Sequence, residues 1–215
     1  ASGDVNGDGL ADLIIGAPYA DPRPEGDTGL TRPMGWTYVY FGRKSIESRV
    51  DLRKQADLEI HGAAKGELTG FSLASGDLNG DGIRDIIIGA PQADSHLQGK
   101  KNDAGITYVI FGRSKFPSRA LRLEAGAADL ELHSTISGEY SGSALAAGDF
   151  NGDGIDDLLV GSPFTNKPKD DIGAVYLVLG RSGLAGKIDL SQKADCTIRG
   201  LEEGDRLGMA VAAGD

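Results

Sequence analysis

The sequence is poor in the features that define several common protein classes. It has a single cysteine, Cys196, so an internal disulfide framework is excluded. It has no apolar run of about 20 residues, which excludes a membrane-spanning helix. Lys and Arg number 22 against 32 Asp and Glu, a balance that disfavours a nucleic-acid partner, because such a partner requires a basic surface. No segment sustains a helical hydrophobic period, so an α/β fold has no support.

Glycine and acidic residues are abundant instead. The 33 glycines and 8 prolines suit many short strands joined by tight turns. The formal net charge of -10 suits a protein that holds cations.

The chain repeats itself. The acidic segment Asp4–Asp12 returns as Asp77–Asp85 and Asp149–Asp157, and its copies start 73 and 72 residues apart (4 to 77, 77 to 149). A fourth copy begins at Asp215. A fixed long period predicts an array of similar structural units. The expected units are residues 1–69, 70–141 and 142–208, with the start of a fourth at 209–215.

Each unit has four short apolar or alternating runs that predict β-strands. In the second unit they are 71–75, which is rich in small residues, 86–88, 107–111 and 129–133. Small side chains suit strands that crowd around an axis. Four antiparallel strands per unit, repeated radially, predict an all-β protein made of β-propeller blades. About three blades are present, which we expect to be part of a larger propeller, because propellers typically use about 4–8 blades.

The acidic segments have the pattern of calcium loops. The spacing D-x-N-x-D-G-x-x-D puts side-chain oxygens at positions 1, 3, 5 and 9. The backbone carbonyl of position 7 can complete the six to eight oxygen ligands of Ca²⁺. Glycine at position 6 permits the sharp turn. The predicted ligands are Asp4, Asn6, Asp8, Leu10 and Asp12; Asp77, Asn79, Asp81, Ile83 and Asp85; and Asp149, Asn151, Asp153, Ile155 and Asp157.

The acidic loops also allow other interpretations. An EF-hand needs a bidentate Glu at position 12, where this chain has Ile15, Ile88 and Val160, and a dockerin loop is excluded in the same way. Metal-free Asn-Gly and Asp-Gly hairpin turns remain the alternative. Magnesium fits less well, since it requires a near-ideal octahedron with several waters. The three carboxylates of each loop would repel one another without a cation, and about three Ca²⁺ ions would offset much of the net charge.

The residues together resemble a known family. The unit reads G-x-[SA]-[LV]-A-x-G-D-x-N-G-D-G-x-x-D-[LI]-[LI]-[IV]-G-[AS]-P, which resembles the FG-GAP repeat of integrin α-subunit propellers. It is also similar to bacterial integrin-like proteins and to the propeller of glycosylphosphatidylinositol-specific phospholipase D. One departure is that Thr69, Ser141 and Leu207 replace the aromatic of the family's Phe-Gly pair.

The resemblance implies an extracellular or cell-surface setting, where millimolar calcium fills weak sites. It also implies that the acidic loops share one face of the propeller. The ligand loops then lie on the opposite face, at residues 19–35, 92–104 and 164–172.

No catalytic constellation is visible, so we expect a non-enzyme. His61 and His133 occupy matching strand ends and are predicted to be exposed repeat positions. Cys196 matches Leu58 and Leu130 and is predicted to be a buried, inert thiol. Arg43, Arg113 and Arg181, which follow the third strands, are predicted to secure the turn there.

The expected function is a calcium-binding extracellular module for adhesion or protein–protein interaction, with structural calcium. Its partner is a protein or glycan on the face opposite the calcium loops, without membrane insertion, and further blades or a second copy are expected to cover its ends. The alternative is a lectin-like propeller, or a non-catalytic propeller appended to an extracellular hydrolase or lyase. Exposed aromatics in the ligand loops would favour the lectin, and the candidates are Tyr19, Trp36 and Phe164.

Overall fold

The structure is a computed structural model that describes residues 1–20, 33–45, 48–97, 99, 102–165 and 171–214. These residues form short strands and very little helix, as the sequence predicted. The strands are β1 (Ser2–Gly3), β2 (Asp12–Ala17), β3 (Trp36–Tyr40), β4 (Leu58–His61), β5 (Ser72–Gly76), β6 (Asp85–Ala90), β7 (Ile106–Ile110), β8 (Ala120–Arg122), β9 (Leu130–His133), β10 (Ala144–Gly148), β11 (Asp157–Ser162), β12 (Ala174–Val178), β13 (Gly186–Asp189) and β14 (Cys196–Arg199).

The strands form three sheets that correspond to the three sequence units. Each sheet contains four antiparallel strands in chain order, β1-β2-β3-β4, β5-β6-β7-β9 and β10-β11-β12-β14. In the second sheet Ile87 pairs with Ala74 on one side and with Val109 on the other. The prediction of four-stranded antiparallel blades is confirmed.

Glycine and other small residues lie where neighbouring blades approach most closely. A Cβ on Gly76 of the second blade would lie 2.7 Å from the Cβ of Ala147 in the third. A Cβ on Gly16 would lie 2.0 Å from the carbonyl oxygen of Gly70. A real Cβ atom would clash with its neighbour at such distances. The inner strands of adjacent blades can therefore approach this closely only where they carry glycine or other small residues.

Two strands were not predicted. β8 pairs in parallel with β4, and β13 pairs in parallel with β9. Each comes from the connection between the third and fourth strands of one blade and adds a fifth strand to the outer edge of the preceding blade. The signal was a short apolar alternation, Leu121 with Leu123 and Ile188 with Leu190, which is too brief to distinguish from a loop. These strands therefore connect successive blades at their outer edges.

Apolar side chains fill the spaces between blades. One cluster joins Leu58 and Ile60 of the first blade to Ile86 and Ile88 of the second. The other joins the second blade to the third and includes Leu130, Leu132, Leu158 and Val160. Burial of this apolar surface is the main contribution that holds each blade against the next.

The helices are single turns. α1 (Leu52–Gln55) and α2 (Leu190–Lys193) begin after Asp51 and Asp189, whose side chains accept hydrogen bonds from the amides of Arg53 and Ser191. Such caps satisfy amides that a helix start leaves unpaired. In the described ranges no helix has the length and hydropathy to cross a bilayer.

The prediction that Cys196 is buried is wrong. All four residues of β14 are exposed, and so is the thiol. Leu58 and Leu130, at the matching positions, are buried because a following blade packs over them. Within the described residues no blade covers β14, so alternation alone could not determine its burial.

The prediction that His61 and His133 are exposed is also wrong. Both are buried. His61 stacks on Trp36 with ring centroids 4.0 Å apart, and His133 Nε2 lies 2.8 Å from Glu131 Oε2. A polar residue at a strand end suggests exposure, but neighbouring side chains, Trp36 for His61 and Ser95 for His133, pack against these rings.

Candidate metal centre and the opposite face

The three acidic loops adopt the same conformation around their first aspartate. Asp4 Oδ1 accepts hydrogen bonds from the amides of Gly7 and Asp8 at 2.7 and 3.1 Å, and Asp4 Oδ2 accepts one from Gly9 at 2.7 Å. Asp77 and Asp149 make the same three contacts in their own loops. The first carboxylate therefore organises the turn through backbone amides.

The glycine at position 6 is required by the backbone. Gly9, Gly82 and Gly154 have φ angles of 85°, 86° and 87°. This left-handed region is open to glycine at little cost and disfavours other residues. The sequence-based reason for glycine at this position is thus confirmed.

The aspartate at position 9 lies inside the protein. Asp12 Oδ2 accepts from Val5 N at 2.9 Å and Asp12 Oδ1 from Gly42 N at 2.8 Å. Asp85 and Asp157 bond equivalently to Gly112 and Gly180. This aspartate ties the acidic loop to the turn after the third strand.

Like charges surround this buried aspartate. Burial foremost, and the charges of Asp77 and Asp81, raise the pKa of Asp85 to about 7 against the lowering effect of the Gly112 and Leu78 amides. The pKa of Asp12 is raised by the same causes. A bound cation would relieve this repulsion.

The first aspartate of a loop has the opposite tendency. Hydrogen bonds from backbone amides, that of Gly154 foremost, hold the pKa of Asp149 below its usual value. This carboxylate is therefore available as an anionic ligand at neutral pH.

The side-chain oxygens of the predicted ligands within a loop do not converge on a common metal position. Asn6 Oδ1 accepts from Asp8 N at 2.8 Å and Asp8 Oδ1 accepts from Leu10 N at 2.8 Å, so these oxygens face amides. Across the described part of the chain, no group of three or more Asp, Glu, His or Cys side chains is arranged to hold a metal. The donor chemistry, oxygen only and rich in carboxylates, nevertheless fits Ca²⁺.

Successive loops are joined through their eighth residue. Arg84 N donates to Asp4 O at 3.1 Å, and Asp156 N donates to Asp77 O at 3.0 Å. The Asp156 carboxylate also accepts from the amide of Asp77 at 2.9 Å. Sequence reasoning missed these contacts, because position 8 varies among Ala11, Arg84 and Asp156.

The arginines after the third strands secure the turn, as predicted. Arg43 Nη2 lies 2.6 Å from Asp57 Oδ2, and Arg181 Nη1 lies 3.4 Å from Asp195 Oδ2. Arg113 pairs with Asp129 in the same way. The glycine before each arginine is the one that donates to the buried aspartate, a role that the repeated Gly-Arg pair could have signalled.

The opposite face carries the loops between second and third strands. Residues 21–32, 98, 100, 101 and 166–170 of these loops lie outside the described residues. Of the three candidate aromatics, only Tyr19 is largely exposed, at 72%. Trp36 belongs to β3. Phe164 is half-buried and packs edge-on against Tyr140, with centroids 5.3 Å apart.

One set of side chains has the connectivity of a hydrolytic triad. Ser95 Oγ lies 3.2 Å from His133 Nδ1, and His133 Nε2 lies 2.8 Å from Glu131 Oε2. Ser95 is fully buried, so its hydroxyl has no access to a substrate. This arrangement packs the loop onto β9 and is not a nucleophilic site.

Four-stranded blades with repeated acidic loops at one end of each sheet define a β-propeller with candidate calcium loops. The FG-GAP repeat family matches residues 1–32, 69–110 and 141–178. These segments make up more than half of the chain, which therefore belongs to the FG-GAP repeat family.

Similar proteins include a phospholipase and integrins. Human phosphatidylinositol-glycan-specific phospholipase D is 31% identical over 98% of this chain and 24% of its own length. Integrin alpha pat-2 of Caenorhabditis briggsae is 28% identical over 100% of this chain and 16% of its own. Integrin alpha-PS5 of Drosophila melanogaster is 37% identical over 56% of this chain and 11% of its own. The chain thus spans a quarter or less of these relatives.

Proposed function

We propose that this chain is a calcium-binding extracellular β-propeller module for adhesion or protein–protein interaction. The observation that carries the calcium assignment is the acidic loop that occurs three times, and in the first two copies the charges of two further carboxylates help to raise the pKa of the buried aspartate. A divalent cation is the simplest means of offsetting that charge.

The proposed ligands are the side chains at positions 1, 3, 5 and 9 of each loop and the carbonyl at position 7. Bound calcium would neutralise the loop and stabilise its closed conformation. Its role here is structural, since the position-9 aspartate joins the loop to the core of its own blade. We propose the unit boundaries 1–69, 70–141 and 142–208 on the same repeat.

Calcium stoichiometry tests the assignment. Isothermal titration should give about three ions for the wild type and about two for Asp81→Ala. Glu203→Ala, which removes an exposed carboxylate outside the loops, should still bind about three. Absence of calcium-dependent heat in the wild type would favour metal-free hairpin turns.

The two end blades expose apolar surface. In the third blade Ile198 is 51% exposed, and in the first blade Leu13 is 45% exposed. Their counterparts in the interior interfaces, Leu132 and Ile86, are fully buried against a neighbouring blade. We propose that further blades or a second copy cover these faces. Sedimentation of the 215-residue chain as a stable monomer at micromolar concentration would contradict this.

A second candidate is a non-catalytic propeller appended to an extracellular hydrolase, or one that binds carbohydrate. The similarity to phosphatidylinositol-glycan-specific phospholipase D over nearly the whole chain supports the first form. Parallel glycan and protein arrays, each with calcium and with chelator, separate the candidates. Glycan binding favours the lectin, whereas calcium-dependent binding to proteins alone favours the adhesion module.

A further inference from the structure

The two interfaces between blades are built from the same sequence positions. The fourth strand of the preceding blade supplies two buried apolar residues, Leu58 and Ile60 in the first interface and Leu130 and Leu132 in the second. We call this pair the acceptor face. The following blade covers it with two residues of its second strand and two of the segment before its fourth strand, which we call the donor face. The donor residues are Ile86, Ile88, Leu121 and Leu123 in the second blade, and Leu158, Val160, Ile188 and Leu190 in the third.

Backbone hydrogen bonds fix the alignment of the two faces. β8 places Leu121 opposite Ile60, and β13 repeats this register in the second interface. At the acidic loops, Arg113 N donates to Val5 O at 3.0 Å, and the matching amide of the third blade, that of Arg181, makes the same contact with the second loop. A donor face and an acceptor face therefore recognise each other through side chains and through strand register.

The first blade has a donor face that no other described part of the chain covers. Its donor positions are Leu13, Ile15, Val50 and Leu52. Leu13 and Ile15 are exposed, and Val50 and Leu52 are half-buried. Residues 49–51, which match β8 and β13, belong to no strand within the described ranges. The same positions are buried in both interior interfaces, so this face lacks the contact that its counterparts make.

The third blade has the complementary face. Its acceptor positions, Cys196 and Ile198, are both exposed. Phe150 in the third acidic loop is exposed too, whereas its counterparts Val5 and Leu78 are buried. The described chain thus presents a donor face on its first blade and an acceptor face on its third, and each is the complement of the other.

We propose that a second copy of this chain docks its donor face on the acceptor face of the third blade, so that copies associate head to tail. Residues 49–51 of the second copy then add a parallel strand to β14. The register of the internal interfaces places Val50 opposite Ile198 and Asp51 opposite Arg199, which pairs apolar with apolar and acid with base. Two copies of three blades each make six, within the range of about 4–8 blades that propellers use. The inference rests on the proposed covering of the end blades and names the surface that provides it.

The inner strand is exchanged in this assembly. Residues 209–214 already lie beside β10, because a Cβ on Gly148 would lie 3.1 Å from the Cβ of Ala213. β1 of the docking copy would occupy the same place, so residues 209–214 take over its pairing with β2 of that copy. β1 pairs with two residues of β2, whereas β5, the counterpart of residues 210–214, pairs with five residues of β6. The longer strand therefore gains backbone hydrogen bonds.

Two arginine variants test the head-to-tail geometry, in which the two contacting surfaces differ. Ile15→Arg blocks the donor face and Ile198→Arg blocks the acceptor face. Both side chains are exposed in the single chain, so neither change should disturb its fold. In analytical ultracentrifugation with calcium, the wild type should self-associate at micromolar concentration, and each variant alone should associate at least tenfold more weakly. An equimolar mixture should restore dimers, since one intact donor face and one intact acceptor face remain.

Ser114→Arg, at an exposed position of the second blade outside both end faces, is the control and should associate as the wild type does. A monomeric wild type, a mixture that stays monomeric or a control that dissociates equally overturns the proposal. So does loss of association in only one of the two variants, because that pattern indicates a symmetric dimer in which one face contacts itself.

Disulfide formation between copies tests the register. In a Cys196→Ser background, copies with Val50→Cys and copies with Ile198→Cys are mixed under mild oxidation and should form an intermolecular disulfide. Arg49→Cys is the matched control, because successive side chains of a strand point to opposite faces. It should cross-link to the Ile198→Cys copy at least tenfold less. Equal yields from the two donors, or no disulfide from Val50→Cys, would contradict the proposed strand addition.

Labelling of Cys196 reports the same contact in the wild type. A bulky maleimide should react rapidly with the dilute, monomeric chain and more slowly as the protein concentration rises through the association range. Ile15→Arg should abolish this concentration dependence. A labelling rate that does not change with concentration in the wild type would be incompatible with docking on β14.

Calcium titration of the same samples separates this inference from the proposed function. Ile15 and Ile198 are not proposed ligands, so both arginine variants should bind as many ions as the wild type. Absence of head-to-tail association with calcium binding intact overturns the inference and leaves the calcium assignment standing. Head-to-tail association without calcium binding supports the inference and contradicts the calcium assignment.

Discussion

The carboxylate of Asp156, in the third acidic loop, accepts a hydrogen bond from the amide of Asp77, the first residue of the second loop, at 2.9 Å. The same Oδ2 lies 3.2 Å from Arg84 Nη2. One side chain thus connects two proposed calcium loops, and the order of the second loop depends on a residue of the third.

Asp156→Ala should cost about 1 kcal/mol of unfolding free energy, because the Asp77 amide loses its partner. Arg84→Ala should cost less, about 0.5 kcal/mol, since the ion pair is partly exposed and surface pairs contribute little. Urea unfolding of both variants in saturating calcium measures this. Equal losses would mean that the ion pair, and not the amide contact, holds the loops together.

Calcium should raise the melting temperature. A ligand that binds only the folded state stabilises it in proportion to the logarithm of its concentration, by about 2.7 kcal/mol at 100 times its dissociation constant. Thermal melts in millimolar calcium and in excess chelator should therefore differ by several degrees. Magnesium at the same concentration should stabilise less, because the loops do not provide an octahedron with retained waters. Superimposable melts would refute the calcium assignment.

Glu67 should make stability fall as pH rises. Its folded-state pKa of about 7 exceeds the ordinary value of 4.5, so its contribution is complete below about pH 4.5 and is lost as pH rises through 7. A shift of this size corresponds to at most about 3 kcal/mol. Glu67→Gln should weaken the dependence between pH 5 and 8 without abolishing it, because Asp85 also has a folded-state pKa of about 7, whereas the exposed control Glu202→Gln should leave it unchanged. Glu67 lines a cavity of about 500 Å³, and the other titratable groups in the described lining are Lys65, Asp94, His96, Asp103, Tyr108, Glu124, Glu131, His133 and Lys187.

The Cys196 thiol should react rapidly. Because β14 is exposed along its whole length, a bulky maleimide should label the native chain about as fast as the urea-unfolded chain. Cys196→Ser should change stability by less than about 0.5 kcal/mol, as surface substitutions usually do. Slow native labelling would indicate that another blade or a second copy covers this strand.

Gly42→Ala should destabilise the first blade. An added Cβ would lie 2.6 Å from the backbone oxygen of Ala11, next to the amide that bonds Asp12. Overpacking of this kind costs about 1–3 kcal/mol. Gly214→Ala, where a Cβ meets no atom within 4 Å, is the matched control. The two variants should differ clearly in denaturant unfolding, and a neutral Gly42→Ala would contradict the proposed contact.

The repeat made much of the fold predictable. In the second blade, the runs Ile86–Ile88 and Thr107–Phe111 are short, largely apolar and followed by a turn. In the structure the first run lies within β6 and the second within β7, except for its last residue, Phe111. The acidic loops were equally predictable, because their polar side chains lie within nine residues of one another and glycine at Gly9 is needed by a local positive φ. Information of this kind is local, so the chain itself carries it.

Only the tertiary structure decided what depends on neighbouring blades. Cys196 follows the same alternation of apolar and polar residues as Leu58, yet Cys196 is exposed. This face of the strand is buried only where the next blade packs against it, as the second blade does against Leu58. The contact of Asp156 with Asp77 joins residues that are far apart in sequence at a variable position. The burial of Glu67, which raises its pKa to about 7, is likewise a property of the packed loops around it and not of the sequence pattern.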